Sequence, residues 1–312
     1  MLRGRLSFLS VIYLGALVPM FAHADETSLV AALQKTYSAC IGIDNSLADL
    51  KKMAGINTAI TGVGTGLGAG ATIVGIVKSK KDAEAKRIAD SINYTKRPYQ
   101  VMPTKAEMEE MKAEFNSENT EDEFKKLRDQ SKKLGNWRTG LMVGNTATNV
   151  AGAIISNKNR VDDDLQSQID SCRSAVKNLQ TSIMQAKMEG LDVSEAQTIY
   201  NTCREYDYVD VSKINKQAKG ATISSVVGAG LGLTGTITSG VANSESVRKD
   251  NVGISGKTSS DWDKEKSINT AANVLAGAST VASATATVFN ATQIKAIKDV
   301  ANVATKCTGA LK

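Results

Sequence analysis

The chain has 312 residues, with 38 Lys and Arg, 32 Asp and Glu, and a single His, for a formal charge of +6. That histidine, His23, falls in an amino-terminal export signal, so the mature chain has no imidazole for general-base catalysis, for Ser-His or Cys-His nucleophiles, or for the familiar zinc and iron sites. Loss of Arg3 and Arg5 with the signal turns 38 basic residues into 36 against 32 acidic ones, with the signs interspersed, which is not a nucleic-acid footprint.

The signal occupies residues 1–24: a basic start, an apolar run from Leu6 to Phe21, and the small-x-small cleavage site Ala22-His23-Ala24. Four cysteines follow, Cys40, Cys172, Cys203 and Cys307. An even number in an exported chain reads as two disulfides, and no two lie at the close spacing of a metal knuckle.

Beyond the signal the chain reads at helical period nearly throughout. A polar helix carries Cys40. An uncharged helix over 56–77 follows, with Thr58, Gly62, Gly66 and Gly70 four residues apart. A charged connector over 78–136 is itself largely helical, is interrupted at Pro98 and Pro103, and holds capping-box pairs at Thr104 with Glu107 and at Thr120 with Glu123. The next uncharged helix sets Gly140, Gly144, Thr148, Gly152 and Ser156 in step, and Trp137 precedes it. The helix carrying Cys172 opens on Asp162-Asp163-Asp164, acids that favour a helix start. Gly190, Asp192 and Glu195 mark a helix end followed by a new start. After the helix with Cys203 comes the longest stripe: Gly220, Ser224, Gly228, Gly232, Thr236, Gly240 and Ser244. A short Gly/Ser-rich connector with Trp262 leads to Ala272, Ala276, Thr280 and Ala284, and a last polar helix carries Cys307.

The chain repeats itself. Tyr37, Cys40 and Asp44 align with Tyr200, Cys203 and Asp207, and Gly64, Gly66 and Gly68 align with Gly228, Gly230 and Gly232. The expected fold is therefore all-α: two tandem four-helix, disulfide-containing units over 25–190 and 191–312, with glycine-rich middle helices. Symmetry assigns one bridge per unit, Cys40 to Cys172 and Cys203 to Cys307. The rival Cys172–Cys203 bridge is disfavoured, because the two residues lie about 26 Å and about 17 Å from the turn at Gly190.

Each helical glycine costs roughly 0.8–1.0 kcal/mol against alanine, and close backbone approach is the natural compensation. The candidate packing residues are Gly62, Gly66, Gly70, Gly140, Gly144, Gly152, Gly220, Gly228, Gly232 and Gly240. The motif resembles the glycine zippers of membrane helices, of pore-forming oligomers and of some bacterial envelope proteins. Segments of 22 and 24 uncharged residues, 56–77 and 220–243, are long enough for a bilayer but thinly apolar, so a tight bundle in water and insertion after assembly are both open.

Other signals are discounted. Gly64, Gly66 and Ala69 meet the dinucleotide spacing inside a helix, and Gly256-Lys257-Thr258 lacks the first glycine of a phosphate loop, Asn251 standing there. No catalytic, cofactor, metal or small-molecule site is expected. The expectation is a non-enzymatic structural or interaction protein of the periplasm or cell surface, self-associating or bound to an envelope partner. The alternative is a pore-forming or membrane-remodelling protein that inserts its small-residue helices as an oligomer.

Overall fold

The computed structural model describes residues 26–95, 117–251 and 256–312, so the signal, Pro98, Pro103 and the Thr104 box lie outside it. Every element within the described residues is helical: α1 (Glu26–Cys40), α2 (Ile43–Thr95), α3 (Ser117–Lys158), α4 (Asp163–Met188), α5 (Ser194–Cys203), a 3-10 turn (Arg204–Tyr208), α6 (Ser212–Ala242), α7 (Glu245–Arg248) and α8 (Ser259–Ala310). The charged connector is thus built largely from extensions of two long helices. Thr120 lies inside α3, which begins at Ser117. Asp162 does cap α4, accepting from the Leu165 amide at 2.8 Å, and Gly190 takes the left-handed conformation (φ +80°) just past that helix.

Two compact units form, each drawing on both of the halves 25–190 and 191–312. Among the described residues, one comprises 26–48, 162–210 and 299–312; the other comprises 49–95, 117–161, 211–251 and 256–298. Each draws on both halves because α2 and α8 are uninterrupted, each carrying the chain from one unit into the other. The first unit holds the cysteine-bearing helices. Cys40 is joined to Cys172 and Cys203 to Cys307, with α-carbons 4.7 and 4.6 Å apart. Its interior is apolar in the ordinary way: α4 buries Leu165, Ile169, Val176, Leu179 and Ile183, Tyr206 is fully enclosed, and charged side chains face outward.

The second unit consists of four long helices, from α2, α3, α6 and α8. Their buried residues alternate three and four apart without a break: Asn57, Thr61, Gly64, Gly68, Ala71 and Gly75 on α2, and Met142, Asn145, Asn149, Gly152 and Ser156 on α3. On α6 they are Ala221, Ser225, Gly228, Gly232, Gly235 and Ser239, and on α8 Ala276, Ser279, Ser283, Ala286 and Asn290. That is a heptad seam, of mean period 3.5, rather than a stripe at every fourth residue.

The difference re-sorts the candidate glycines. A β-carbon would meet Asn149 at 2.8 Å from Gly228, Thr146 at 2.5 Å from Gly232, Phe289 at 2.8 Å from Gly220, Thr61 at 2.8 Å from Gly152, and Leu67 at 3.0 Å from Gly144. Gly70 has ordinary contact with Leu141, whereas Gly62, Gly66, Gly140 and Gly240 have nothing within 4 Å. The tight positions on α2 are instead Gly64, Gly68 and Gly75. A four-residue step overshoots the 3.6-residue turn, so a period-four row drifts off the contact line within two or three turns.

Two neighbouring glycines give a direct test. Gly68→Ala pushes a methyl against Thr280, including its α-carbon at 3.2 Å, and should cost about 1–3 kcal/mol. Gly66→Ala meets nothing and should gain up to about 0.8–1.0 kcal/mol in helix propensity. Thermal melting followed by circular dichroism should show opposite shifts; equal shifts would mean the seam is misplaced.

Candidate functional site

Each helix of the second unit has a long charge-free stretch: 53–77 on α2, 139–157 on α3, 220–242 on α6 and 267–294 on α8. At 1.5 Å per residue these run from about 28 to about 42 Å. Three helical stretches among the described residues are long and apolar enough to cross a membrane: Ser28–Ile92, Ser194–Ala242 and Ser259–Ala310.

Within these stretches the usual distribution of side chains is inverted. Met142 is the only buried apolar residue larger than alanine; the rest of the seam is Gly, Ala, Ser, Thr, Asn and Gln. The large aliphatic side chains point outward: Val63 (57% exposed), Ile73 (61%), Val150, Ile154, Leu233, Ile237 (60%), Val274, Val281 (66%) and Val288. Most threonine hydroxyls of these stretches, outward or half-buried, are spent on their own helix. Twelve threonines, among them Thr72, Thr234 and Thr285, donate to the carbonyl four residues back at 2.7–3.0 Å.

The interior is knitted by amides and hydroxyls. Asn145 Nδ2 donates to Ser279 at 2.8 Å, Asn149 Nδ2 donates to Ser283 at 2.8 Å, and Gln293 Nε2 donates to the Asn159 carbonyl at 2.6 Å. All three pairs are 134 residues apart, so α3 and α8 run parallel and in register. Asn57 Nδ2 bridges Ser156 and Asn290, and Ser279 donates to the Gly228 carbonyl at 2.8 Å. One apolar layer, Ala71, Met142 and Ala276, interrupts the polar column.

Beyond that layer lie buried charges. Arg138 is fully enclosed and donates only to neutral acceptors, Ser239 at 2.8 Å and Asn273 and Asn269 at 3.0 Å. Next comes an ionic network. Arg128 contacts Asp82 (2.9 Å), Glu265 (3.1 Å) and Asp250 (2.5 Å); Lys78 contacts Asp82 (2.6 Å); Lys257 contacts Glu265; and Arg248 contacts Asp250 (3.1 Å). Trp262 lies between Arg128 and Lys257, which stand 5.0 and 4.2 Å from its ring centroid, and packs on Ile88, Ile92, Phe124 and Leu127.

Burial alone would raise the Asp82 carboxyl, but Lys78, Ser131 and Arg128 outweigh it and hold the group below the ordinary carboxylate range. At Lys78 burial prevails over its two carboxylate neighbours and pushes the ammonium down. Sequence reasoning missed this network because its members come from four separate segments.

Among the described residues no group of His, Cys, Asp and Glu is placed to hold a metal ion. Gly256, Lys257 and Thr258 line a cleft of about 640 Å³ with Arg248, Asp250 and Asp261, but Lys257 is spent on Glu265 and on the carbonyls of Val247 and Arg248. No family model, no curated protein and no solved structure matches the chain.

Two predictions follow from the network. Arg128→Met removes the guanidinium that Asp82, Glu265 and Asp250 share, leaving Lys78 and Lys257 as partial replacements, and should cost up to about 3–5 kcal/mol in urea unfolding. Because the Asp82 pKa is depressed on folding, its contribution is present above about pH 4 and is lost as pH falls through the folded value. In a Trp137→Phe background, Trp262 emission should therefore hold constant from pH 8 to about 4 and shift only below that. A shift between pH 5 and 7 would contradict this assignment.

Proposed function

We propose that the protein is an exported, non-enzymatic membrane component whose four-helix unit is embedded in a bilayer while its disulfide-bridged unit stands in an oxidising aqueous compartment. The inverted side-chain distribution carries this reading. Outward Val, Ile and Leu, each roughly half exposed, forgo in water about half of the roughly 1.5–3 kcal/mol that full burial would give, whereas acyl chains accommodate them. In lipid, backbone and hydroxyl groups must be satisfied from within, as the back-bonded threonines and the Asn–Ser pairs are, and small residues let helices approach closely. Trp137, 71% exposed and two residues before the charge-free part of α3, is placed where aromatic side chains anchor at an interface.

The order of spans and cysteines supports the same reading. Two spans separate Cys40 from Cys172, none separates Cys172 from Cys203, and two separate Cys203 from Cys307. An even count puts all four thiols on one side, as two bridges require.

The sequence repeat is then an internal two-fold of the bundle. A β-carbon on Gly68 would meet Asn145 and Thr280, and one on the aligned Gly232 would meet Thr146 and Ser279. The two sets of neighbours exchange α3 for α8 at the same 134-residue offset. The open glycines Gly62, Gly66, Gly140 and Gly240 are left for contact between chains, so the glycine zipper acts in self-association or in binding an envelope partner.

Pore formation is the second reading. It requires the Asn and Ser seam to turn toward a lumen, because the outer face offers no polar stripe to line one.

Alkaline carbonate extraction decides the principal reading: the mature chain should stay in the membrane pellet, and full release would overturn it. Gly62→Leu with Gly66→Leu should reduce crosslinked dimer severalfold while leaving extraction unchanged. Dye release from vesicles by the wild-type chain would favour the pore reading.

A further inference from the structure

Resting on the membrane reading, we infer that one end of the four-helix unit is a basic collar that binds the phosphate groups of anionic lipids in the leaflet it occupies. Moving outward from the charge-free stretches toward this end, the first two charged residues on α2 are Lys52 and Lys51, and at the end of α3 Lys158 and, just past it, Arg160. On α6 they are Lys219 and Lys216, and on α8 Lys295 and Lys298. All eight are basic, in a mature chain whose charges are almost evenly divided.

The seven lysines are exposed, and among the described residues none of the eight makes an ion pair; the buried Arg160 Nε has no hydrogen-bond partner. At the opposite end Lys78, Arg138, Arg248 and Lys257 are buried and bonded within the chain. Those four charges are consumed by the fold and the remaining lysines there, such as Lys80, Lys133 and Lys266, are interleaved with acids, whereas at the collar the eight bases nearest the charge-free stretches have no acid among them.

The order of signs identifies the partner. On every helix the nearest acid in sequence lies farther from the charge-free stretch than both bases: Asp49, Asp162, Asp210 and Asp299. Bases at the edge of an apolar belt, with acids displaced outward, match a bilayer, where phosphates lie directly over the hydrocarbon and water begins beyond them. Lysine stems reach that level from a span end. A nucleic acid would call for a continuous basic face with no apolar belt beneath it. Each lysine near an anionic surface contributes about fivefold in partition, screened by salt.

The test is flotation of the full mature chain with vesicles of phosphatidylcholine, alone or with one third phosphatidylglycerol. The lipid concentration for half-maximal flotation should be at least about tenfold lower with the anionic vesicles. The ratio should fall toward one in 0.5 M salt and in the variant Lys51→Gln, Lys158→Gln, Lys219→Gln, Lys295→Gln. A control variant, Lys80→Gln, Lys132→Gln, Lys133→Gln, Lys264→Gln, removes the same charge at the other end and should keep the preference. Circular dichroism confirms that both variants fold.

Equal flotation with the two vesicle types, an equal loss in the control variant, or tighter binding to a DNA duplex than to anionic vesicles would each overturn the collar. Carbonate-resistant flotation with neutral vesicles reports the apolar belt independently. Its loss with the anionic preference intact would support the collar and remove the embedded bundle.

Discussion

In the four-helix unit, most interior amides and hydroxyls are satisfied from inside, with Asn57 Oδ1 and Ser225 Oγ the unpartnered atoms on the seam. Water normally solvates the outward side chains of a helix bundle, and the interior is left to hydrocarbon. Here Asn145, Asn149, Ser279 and Ser283 form the interior, Val and Ile form the exterior, and even the outward threonines spend their hydroxyls on their own helices. Once the amides must meet at the axis, the seam has to be narrow. That demands glycine, alanine and serine at alternating three- and four-residue steps, and it excludes the leucine-rich packing that stabilises the disulfide-bridged unit. Such a bundle gains little from hydrophobic burial, so its specificity comes from paired amides. An Asn shifted by one heptad position loses its partner and is costly to leave unpaired.

The same logic explains why charges are concentrated beyond one end. Arg128, Asp82, Glu265 and Lys257 are too expensive to bury singly, and they occur as a network in which each ion has more than one partner. Arg138 is the exception, held by three neutral oxygens next to the apolar layer at Met142. A guanidinium presents five donors in a plane, so Ser239, Asn269 and Asn273 can solvate it without neutralising it. A positive charge left standing at the end of a polar column would repel cations from that column, which bears on the pore reading, since any opening along this axis would pass Arg138.

Much of this was legible in the residues. Helical period, the absence of imidazole and the even cysteine count led to an all-helical chain with two bridges, and the turn at Gly190 argued against the short-range pairing. The register of the seam was not. Heptads are sought as apolar positions, and here those positions hold Asn57, Thr61, Gly64 and Gly68, so the period that drew attention was the four-residue spacing of glycines. The complementary signal lay in Val63, Ile73, Val143, Val150, Val274, Val281 and Val288. Val143 and Val150 are seven residues apart, as are Val274, Val281 and Val288, and Val63 and Ile73 are ten apart; together they mark the outer face by default. Nor was the ionic network visible, because nothing in the local sequence around Arg128 or Glu265 distinguishes them from the exposed charges nearby.

The placement of glycine separates what folds the chain from what is left for other chains. Gly64, Gly68, Gly228 and Gly232 are required by neighbours within the molecule, and their helix-propensity cost is offset there. Gly62, Gly66, Gly140, Gly230 and Gly240 incur a similar cost with nothing against them. A surface meeting only solvent or lipid has no use for glycine, since alanine would stabilise each helix at no steric expense. That residual cost is the observation behind the proposed self-association, in which the large side chains flanking these glycines, Val63 beside Gly62 and Ile237 and Val241 around Gly240, would supply the ridges between which a second helix settles.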